Sequence, residues 1–133
     1  MQTILIIEDN KDLRENTAEL LGFSNYRVLT AENGNQGFTL ARQQHPDLIL
    51  CDLVMPQSDG WSFLQLVKAE DSTRNIPLVF FSAGSTFPVL KKQAIQQAGS
   101  YLSKPFTEQE LLHAIQAGLY QAGNNHGQQA LTE

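Results

Sequence analysis

The stretch "LILCDLVMPQSDGW", from Leu48 to Trp61, begins as an apolar run and ends in a turn. The run "LILC" has the continuous hydrophobicity of a strand that is buried on both faces, as strands of parallel sheets are. It ends on a carboxylate, Asp52, and the chain then passes through Pro56 into the turn-like "QSDG". A buried strand that ends on an acidic residue predicts that other polar side chains meet Asp52 at this edge of the sheet.

Apolar runs alternate with segments of helical periodicity along the rest of the chain. The predicted strands are "TILIIE", "YRVLTA", "DLILCD", "PLVFFSA" and "SYLS", each followed by a predicted helix. Asn10 and Asn33 can cap the first two helices, and the third helix begins near Gly60. The fourth helix is "VLKKQAIQQA", and Thr107 and Glu110 form a capping box at the start of the fifth. Such alternation predicts an α/β fold, a single doubly wound parallel sheet of five strands in the flavodoxin-like order 2-1-3-4-5 with five helices.

Length and composition limit the class of protein. The chain has 133 residues, which suits one domain, expected over residues 1–122 with a flexible polar tail over 123–133. The net charge of −5 and the lack of a basic stretch argue against direct nucleic-acid binding. The single Cys51 excludes an internal disulfide and a cysteine-rich zinc site. No apolar run reaches membrane length and no cleaved signal is apparent, so a cytoplasmic protein without membrane contact is expected.

Polar residues stand at the ends of four predicted strands. They are Glu8 and Asp9, Asp52, Ser82, and Lys104. In doubly wound sheets, ligands bind beyond the carboxyl ends of the strands, so these side chains are expected to converge. Each like-charge pair at about 4 Å costs roughly 4 kcal/mol at an effective dielectric near 20, so the three carboxylates need a cation.

A hard divalent ion with oxygen ligands meets this need, and Mg²⁺ suits an open site with few carboxylates. Mg²⁺ together with a lysine forms a clamp for phosphoryl oxygens, and a carboxylate can attack phosphorus to give an acyl phosphate. The residues therefore predict a metal-assisted phosphoaspartate site with Asp52 as the nucleophile.

The motifs "IIEDN", "CDLVMPQSDGW", "FFSAG" and "SYLSKPF" occur in this order at successive strand ends. Together they resemble the response-regulator receiver domain of two-component signalling, of the chemotaxis-regulator type, from about Ile4 to Leu119. The resemblance implies that Asp52 accepts a phosphoryl group from a sensor histidine kinase or a histidine phosphotransfer protein. It also implies a downstream protein partner or an output domain outside this chain, and no enzymatic activity beyond the domain's own phosphorylation and dephosphorylation.

The same resemblance implies a role for each site residue. Ser82 and Lys104 contact the phosphoryl group, with a cis bond between Lys104 and Pro105. Tyr101 is the switch residue beside a face formed by the fourth helix, the fifth strand and the fifth helix. The implied ligands of Mg²⁺ (or Mn²⁺) are Glu8, Asp9, Asp52 and the backbone carbonyl of Val54.

The chain departs from the family pattern at three places. Glu8 occupies the first acidic position, Ser82 stands where threonine is more usual, and Gly99 lies nearer Tyr101 than usual. The spacing around Gly99 predicts a fourth helix that is shifted or starts late.

Three other functions compete with this interpretation. A phosphatase with an aspartyl-phosphate intermediate needs a second Asp two residues after the nucleophile, where this chain has Val54. A flavin-binding electron carrier needs a phosphate-binding loop after strand one, where Glu8 and Asp9 would repel the phosphate. A phosphorylation-independent protein-binding module fits poorly with a complete set of site residues.

Overall fold

The structure is a computed structural model, and it describes residues 1–53, 60–83, 92, 96 and 101–132. Five parallel strands form one sheet in the order β2-β1-β3-β4-β5, which confirms the predicted topology. The elements are β1 Thr3–Ile7, α1 Lys11–Phe23, β2 Arg27–Ala31, α2 Gly34–Gln44, β3 Leu48–Asp52, α3 Gly60–Ala69, β4 Leu78–Ala83, β5 Tyr101–Lys104 and α4 Glu108–Thr132.

Four of the five predicted helices lie within the described ranges. The remaining one was predicted between β4 and β5, where only Lys92 and Gln96 are described, and both are helical and exposed. The position of that helix therefore lies outside the described residues. Helix α4 extends to Thr132, and the predicted domain boundary near residue 122 and the flexible tail stay predictions. In the described part of the chain, no helix has both the length and the apolar character that a membrane span needs.

The helix starts follow from the predicted capping residues. The side chain of Asn10 accepts a hydrogen bond from the backbone three residues later at 3.0 Å, and Asn33 does the same at 2.8 Å. Thr107 and Glu110 exchange reciprocal backbone-to-side-chain bonds at 2.9 and 3.1 Å, which is the predicted capping box. These caps satisfy backbone N–H groups that the first turn of a helix leaves without partners.

The core lies on both sides of the sheet, because successive strand residues point to opposite faces. One face packs against α2 and α3, and its buried residues include Leu5, Ile7, Ile49, Cys51, Phe63 and Phe80. The other, called here the α1–α4 face, is formed by Ile4, Ile6, Leu48, Leu50, Val79, Phe81 and Leu102, with Leu21, Leu111 and Ile115 from the two helices. Cys51 thus lies on the face away from α1 and α4, and burial raises the pKa of its thiol well above the usual value.

Candidate active site

Three carboxylates meet at the carboxyl ends of β1 and β3. One oxygen atom from each of Glu8, Asp9 and Asp52 lies within 4.8 Å of the others. Glu8 and Asp52 follow buried residues of the α1–α4 face by two positions, and they are only 1% and 4% exposed, whereas Asp9 is exposed. The cluster is therefore a buried carboxylate pair with a third carboxylate at its solvent side.

Lys104, the last residue of β5, reaches into this pair. Its Nζ lies 2.7 Å from Glu8 Oε1 and 3.2 Å from Asp52 Oδ2. Partial burial alone lowers the pKa of Lys104, but the hydrogen bond to Glu8 and the negative charge of Asp52 outweigh it, so the pKa is raised. The ammonium group therefore stays charged at neutral pH and offsets part of the repulsion between the carboxylates. The Lys104–Pro105 bond is cis, as predicted.

The charges and donor atoms of this cluster fit a divalent cation. Three carboxylates and the Lys104 ammonium leave two excess negative charges among the described groups of the cluster. All three carboxylates offer oxygen atoms, the ligands that Mg²⁺ prefers. The backbone carbonyl of Val54, the fourth predicted ligand, lies outside the described residues.

Arg14 supports the acidic loop, and the sequence did not single it out. Its Nη1 donates to the backbone oxygens of Glu8 at 2.9 Å and Asp9 at 3.4 Å, and its Nη2 lies 3.7 Å from a carboxylate oxygen of Glu32. The Arg14 side chain is only 11% exposed. It therefore holds the two residues that carry the first two carboxylates. The sequence signal for this role was the position of Arg14, one turn into the helix that follows the acidic pair Glu8 and Asp9.

Ser82 and Tyr101 lie on the neighbouring strands β4 and β5. Ser82 is buried, and it follows Phe81, which is in register with Asp52 on the neighbouring strand. The Tyr101 hydroxyl donates to the backbone oxygen of Ser82 at 3.5 Å, and the ring packs against the core beside α2 and α3. The structure thus links the predicted switch residue to the Ser82 backbone, one position after the residue that is paired with Asp52.

The exposed carboxyl group of Asp9 opposes folding when the site holds no cation. Its pKa is raised by the side-chain hydrogen bond with Glu8, and also by partial burial and by the negative charge of Glu8. A raised pKa in the folded state means that the contribution of Asp9 to stability is present below its ordinary value of 3.8 and is lost as the pH rises through the raised value. At neutral pH, the ionised group is therefore unfavourable to the fold.

We expect Asp9→Asn to raise the melting temperature of the metal-free protein at pH 7. The gain should be small because the group is exposed and screened by water, and it should shrink toward pH 3. Thermal melts in a chelator across this range provide the measurement. Asp12→Asn is the matched control, since Asp12 is an exposed acid in the first turn of α1 outside the cluster. A lower melting temperature for Asp9→Asn in chelator would contradict this account of the cluster.

Known proteins resemble this chain in sequence and in fold. The family model of the response regulator receiver domain matches residues 4–116 of this chain. Protein PilH of Pseudomonas aeruginosa is 36% identical over 121 residues, covering 90% of this chain and 98% of PilH. A histidine kinase of Formosa agariphila is 38% identical over 109 residues, which are 81% of this chain but only 8% of that kinase.

A solved structure also resembles this chain closely. The receiver domain of sensor histidine kinase PA1611 from Pseudomonas aeruginosa is 31% identical, with a TM-score of 0.78 over 89% of this chain and 97% of that one. That structure has a magnesium ion coordinated in its active site cleft. With the family model matching most of its length, the chain belongs to the response regulator receiver domain family of two-component signalling.

Proposed function

We propose that this receiver domain accepts a phosphoryl group on Asp52 from the phosphohistidine of a sensor histidine kinase or a histidine phosphotransfer protein. The observation that carries the proposal is the buried Asp52 carboxylate, which shares the Lys104 ammonium with Glu8 inside a cluster of three acids. Mg²⁺, or Mn²⁺ in its place, would be held by Glu8, Asp9 and Asp52. The proposal places the chain in the cytoplasm, where ATP-dependent kinases work.

The transfer itself needs a nucleophile and positive charge around the phosphoryl oxygens. A carboxylate oxygen of Asp52 forms a new bond to phosphorus, while the bond from phosphorus to the donor nitrogen breaks and its electron pair leaves with the imidazole. Lys104 is placed to donate hydrogen bonds to the transferred oxygens, since its Nζ already lies 3.2 Å from Asp52 Oδ2. Ser82 would donate its hydroxyl to the same group. A bound divalent ion would supply further positive charge at these oxygens.

The proposed reaction has no substrate other than the phosphodonor. The domain would catalyse only its own phosphorylation and dephosphorylation, and the phosphorylated form would carry the signal. Its downstream partner would be a separate protein or an output domain. The face that recognises this partner would include the fourth predicted helix, β5 and α4, because β5 is an edge strand that joins Lys104 to Tyr101.

Small phosphodonors provide the direct test. With acetyl phosphate and Mg²⁺, we expect mass spectrometry to show one added phosphoryl group, which is lost in the presence of a chelator and restored by Mn²⁺. The physical reason is that three clustered carboxylates repel an anionic donor unless a cation is bound. Equal labelling with and without chelator would contradict the metal site. The proposed function would be contradicted if acetyl phosphate, phosphoramidate and a phosphorylated histidine phosphotransfer protein all failed to label the protein.

Phosphorylation is expected to change the environment of Tyr101. The Ser82 hydroxyl would gain a charged acceptor, and its movement would alter the backbone to which Tyr101 is bonded at 3.5 Å. A charge-assisted hydrogen bond and the Lys104 ion pair would each contribute on the order of 1.5–3 kcal/mol. Together they approach the roughly 5.5 kcal/mol that a swing from 1:99 to 99:1 requires.

NMR spectra with and without beryllofluoride, a phosphoryl mimic, measure this switch. We expect backbone shifts at Tyr101 and along α4 as well as near Asp52. Tyr101→Phe serves as the control, because it removes the hydroxyl that contacts Ser82 and keeps the ring. If the shifts stay within the immediate surroundings of Asp52, Tyr101 is not the switch.

A further inference from the structure

Lys104 has an aromatic neighbour in addition to its two carboxylates. Its Nζ lies 4.7 Å from the centroid of the Phe81 ring. Phe81 is fully buried in β4 on the α1–α4 face, and its backbone is in register with Asp52 on β3. The ammonium group is therefore bordered by oxygen atoms of Glu8 and Asp52 and by the face of a ring.

The Phe81 ring is itself held by a second ring. Phe106 meets it edge to face, with centroids 6.1 Å apart and an angle of 85° between the ring planes. Such T-shaped pairs direct the positive edge of one ring at the negative face of the other and contribute beyond the area they bury. The packing of Phe106 and the α1–α4 core thus fixes the Phe81 ring beside Lys104.

We propose that Phe81 is a positioning residue for Lys104, holding the ammonium group at Asp52 for phosphoryl transfer. The inference rests on the proposed function. A lysine has a flexible four-carbon stem, and partial burial disfavours its charge. The ring face attracts the ammonium group without accepting a conventional hydrogen bond. The three N–H donors of Lys104 therefore remain available to carboxylate and phosphoryl oxygens. A leucine at this position would fill much of the space but would offer no negative face.

The variant Phe81→Leu tests this role. We expect its initial rate of labelling by acetyl phosphate to fall about three- to tenfold, the range that a partly desolvated cation–π contact represents. Phe81→Tyr keeps the ring face, so folded Phe81→Tyr should be labelled faster than Phe81→Leu. Phe81→Met has an unbranched side chain of about the same volume as leucine, and it gives a second ring-free variant in case Phe81→Leu does not fold.

Phe80 provides a matched control on the same strand. It is the same residue type, it is also fully buried, and it lies on the opposite face of the sheet in the α2 and α3 core. Phe80→Leu therefore removes the same atoms from an equally buried position. We expect it to lower the melting temperature about as much as Phe81→Leu does while leaving the labelling rate near that of the parent.

A spectroscopic measurement on the unchanged protein tests the contact without any variant. Protons above a ring face experience ring-current shielding, so the ε-methylene protons of Lys104 should resonate upfield of ordinary lysine values. The shift should disappear in Phe81→Leu and remain in Phe80→Leu. Ordinary shifts in the parent protein would overturn the proposed contact.

The two measurements separate this inference from the proposed function. If the parent protein is never labelled but the Lys104 protons are shifted, the function fails and Phe81 has no reaction to support. If the parent is labelled and folded Phe81→Leu reacts at the same rate, the positioning role is wrong although the function stands. Equal slowing of Phe80→Leu and Phe81→Leu would also overturn it, since general core damage would then explain both.

Discussion

Asp52→Asn is expected to abolish phosphoryl labelling and leave the protein folded. The neutral amide oxygen of asparagine is a far weaker nucleophile than a carboxylate, so no acyl phosphate should form. The substitution keeps the side-chain shape and an acceptor for Lys104, which also retains its 2.7 Å contact with Glu8. Mass spectrometry after incubation with acetyl phosphate and Mg²⁺ measures the loss, and circular dichroism checks the fold.

Asp9→Asn is the matched control for this prediction. It makes the same chemical change in the same cluster, but at the exposed acid. In the described part of the chain, the carboxylates that Lys104 contacts are those of Glu8 and Asp52. We expect this variant to need more Mg²⁺ and still to carry one phosphoryl group at saturating metal. Stoichiometric labelling of Asp52→Asn would show that another residue accepts the phosphoryl group.

The sheet could be predicted because each strand carries its own signal. The apolar runs around Ile6 and Leu50 are continuous, which indicates strands covered on both faces, and the caps Asn10 and Asn33 mark where the intervening helices begin. Strand ends were less certain. Glu8 falls just beyond β1, whereas Lys104 is the last residue of β5, because local sequence does not say where pairing between strands stops.

The carboxylates and Lys104 could be predicted as a cluster because parallel strands bring their carboxyl ends to one edge. Arg14 could not be recognised in this way. An arginine in the first turns of a helix usually lies in solvent, and its burial here depends on two backbone oxygens of the β1–α1 loop and on Glu32. The role of Phe81 could not be predicted for a related reason. Phe80 and Phe81 are the same residue type at adjacent positions, and only the sheet shows that they lie on different faces.

Lys104→Met is expected to lower the free energy of unfolding of the metal-free protein by about 3–5 kcal/mol, because removing one partner of a buried ion pair leaves the other uncompensated. Glu8 and Asp52 would remain 1% and 4% exposed without the ammonium between them. Methionine has a similar length and fills the same space, so a cavity contributes little. Urea unfolding in chelator gives the value. Lys68→Met is the control, since Lys68 is exposed in α3 and should change stability by less than about 0.5 kcal/mol.

The origin of that loss can be separated into charge and packing. If repulsion between Glu8 and Asp52 causes it, adding Glu8→Gln to Lys104→Met should restore part of the stability, although the two changes are in contact and will not add independently. Mg²⁺ should also restore part of it by supplying positive charge to the folded cluster, and a hundredfold excess over the dissociation constant adds about 2.7 kcal/mol. Two results would show that Lys104 does not balance these buried carboxylates. In the first, Lys104→Met unfolds in chelator at the same urea concentration as the parent. In the second, the double variant is no more stable than Lys104→Met.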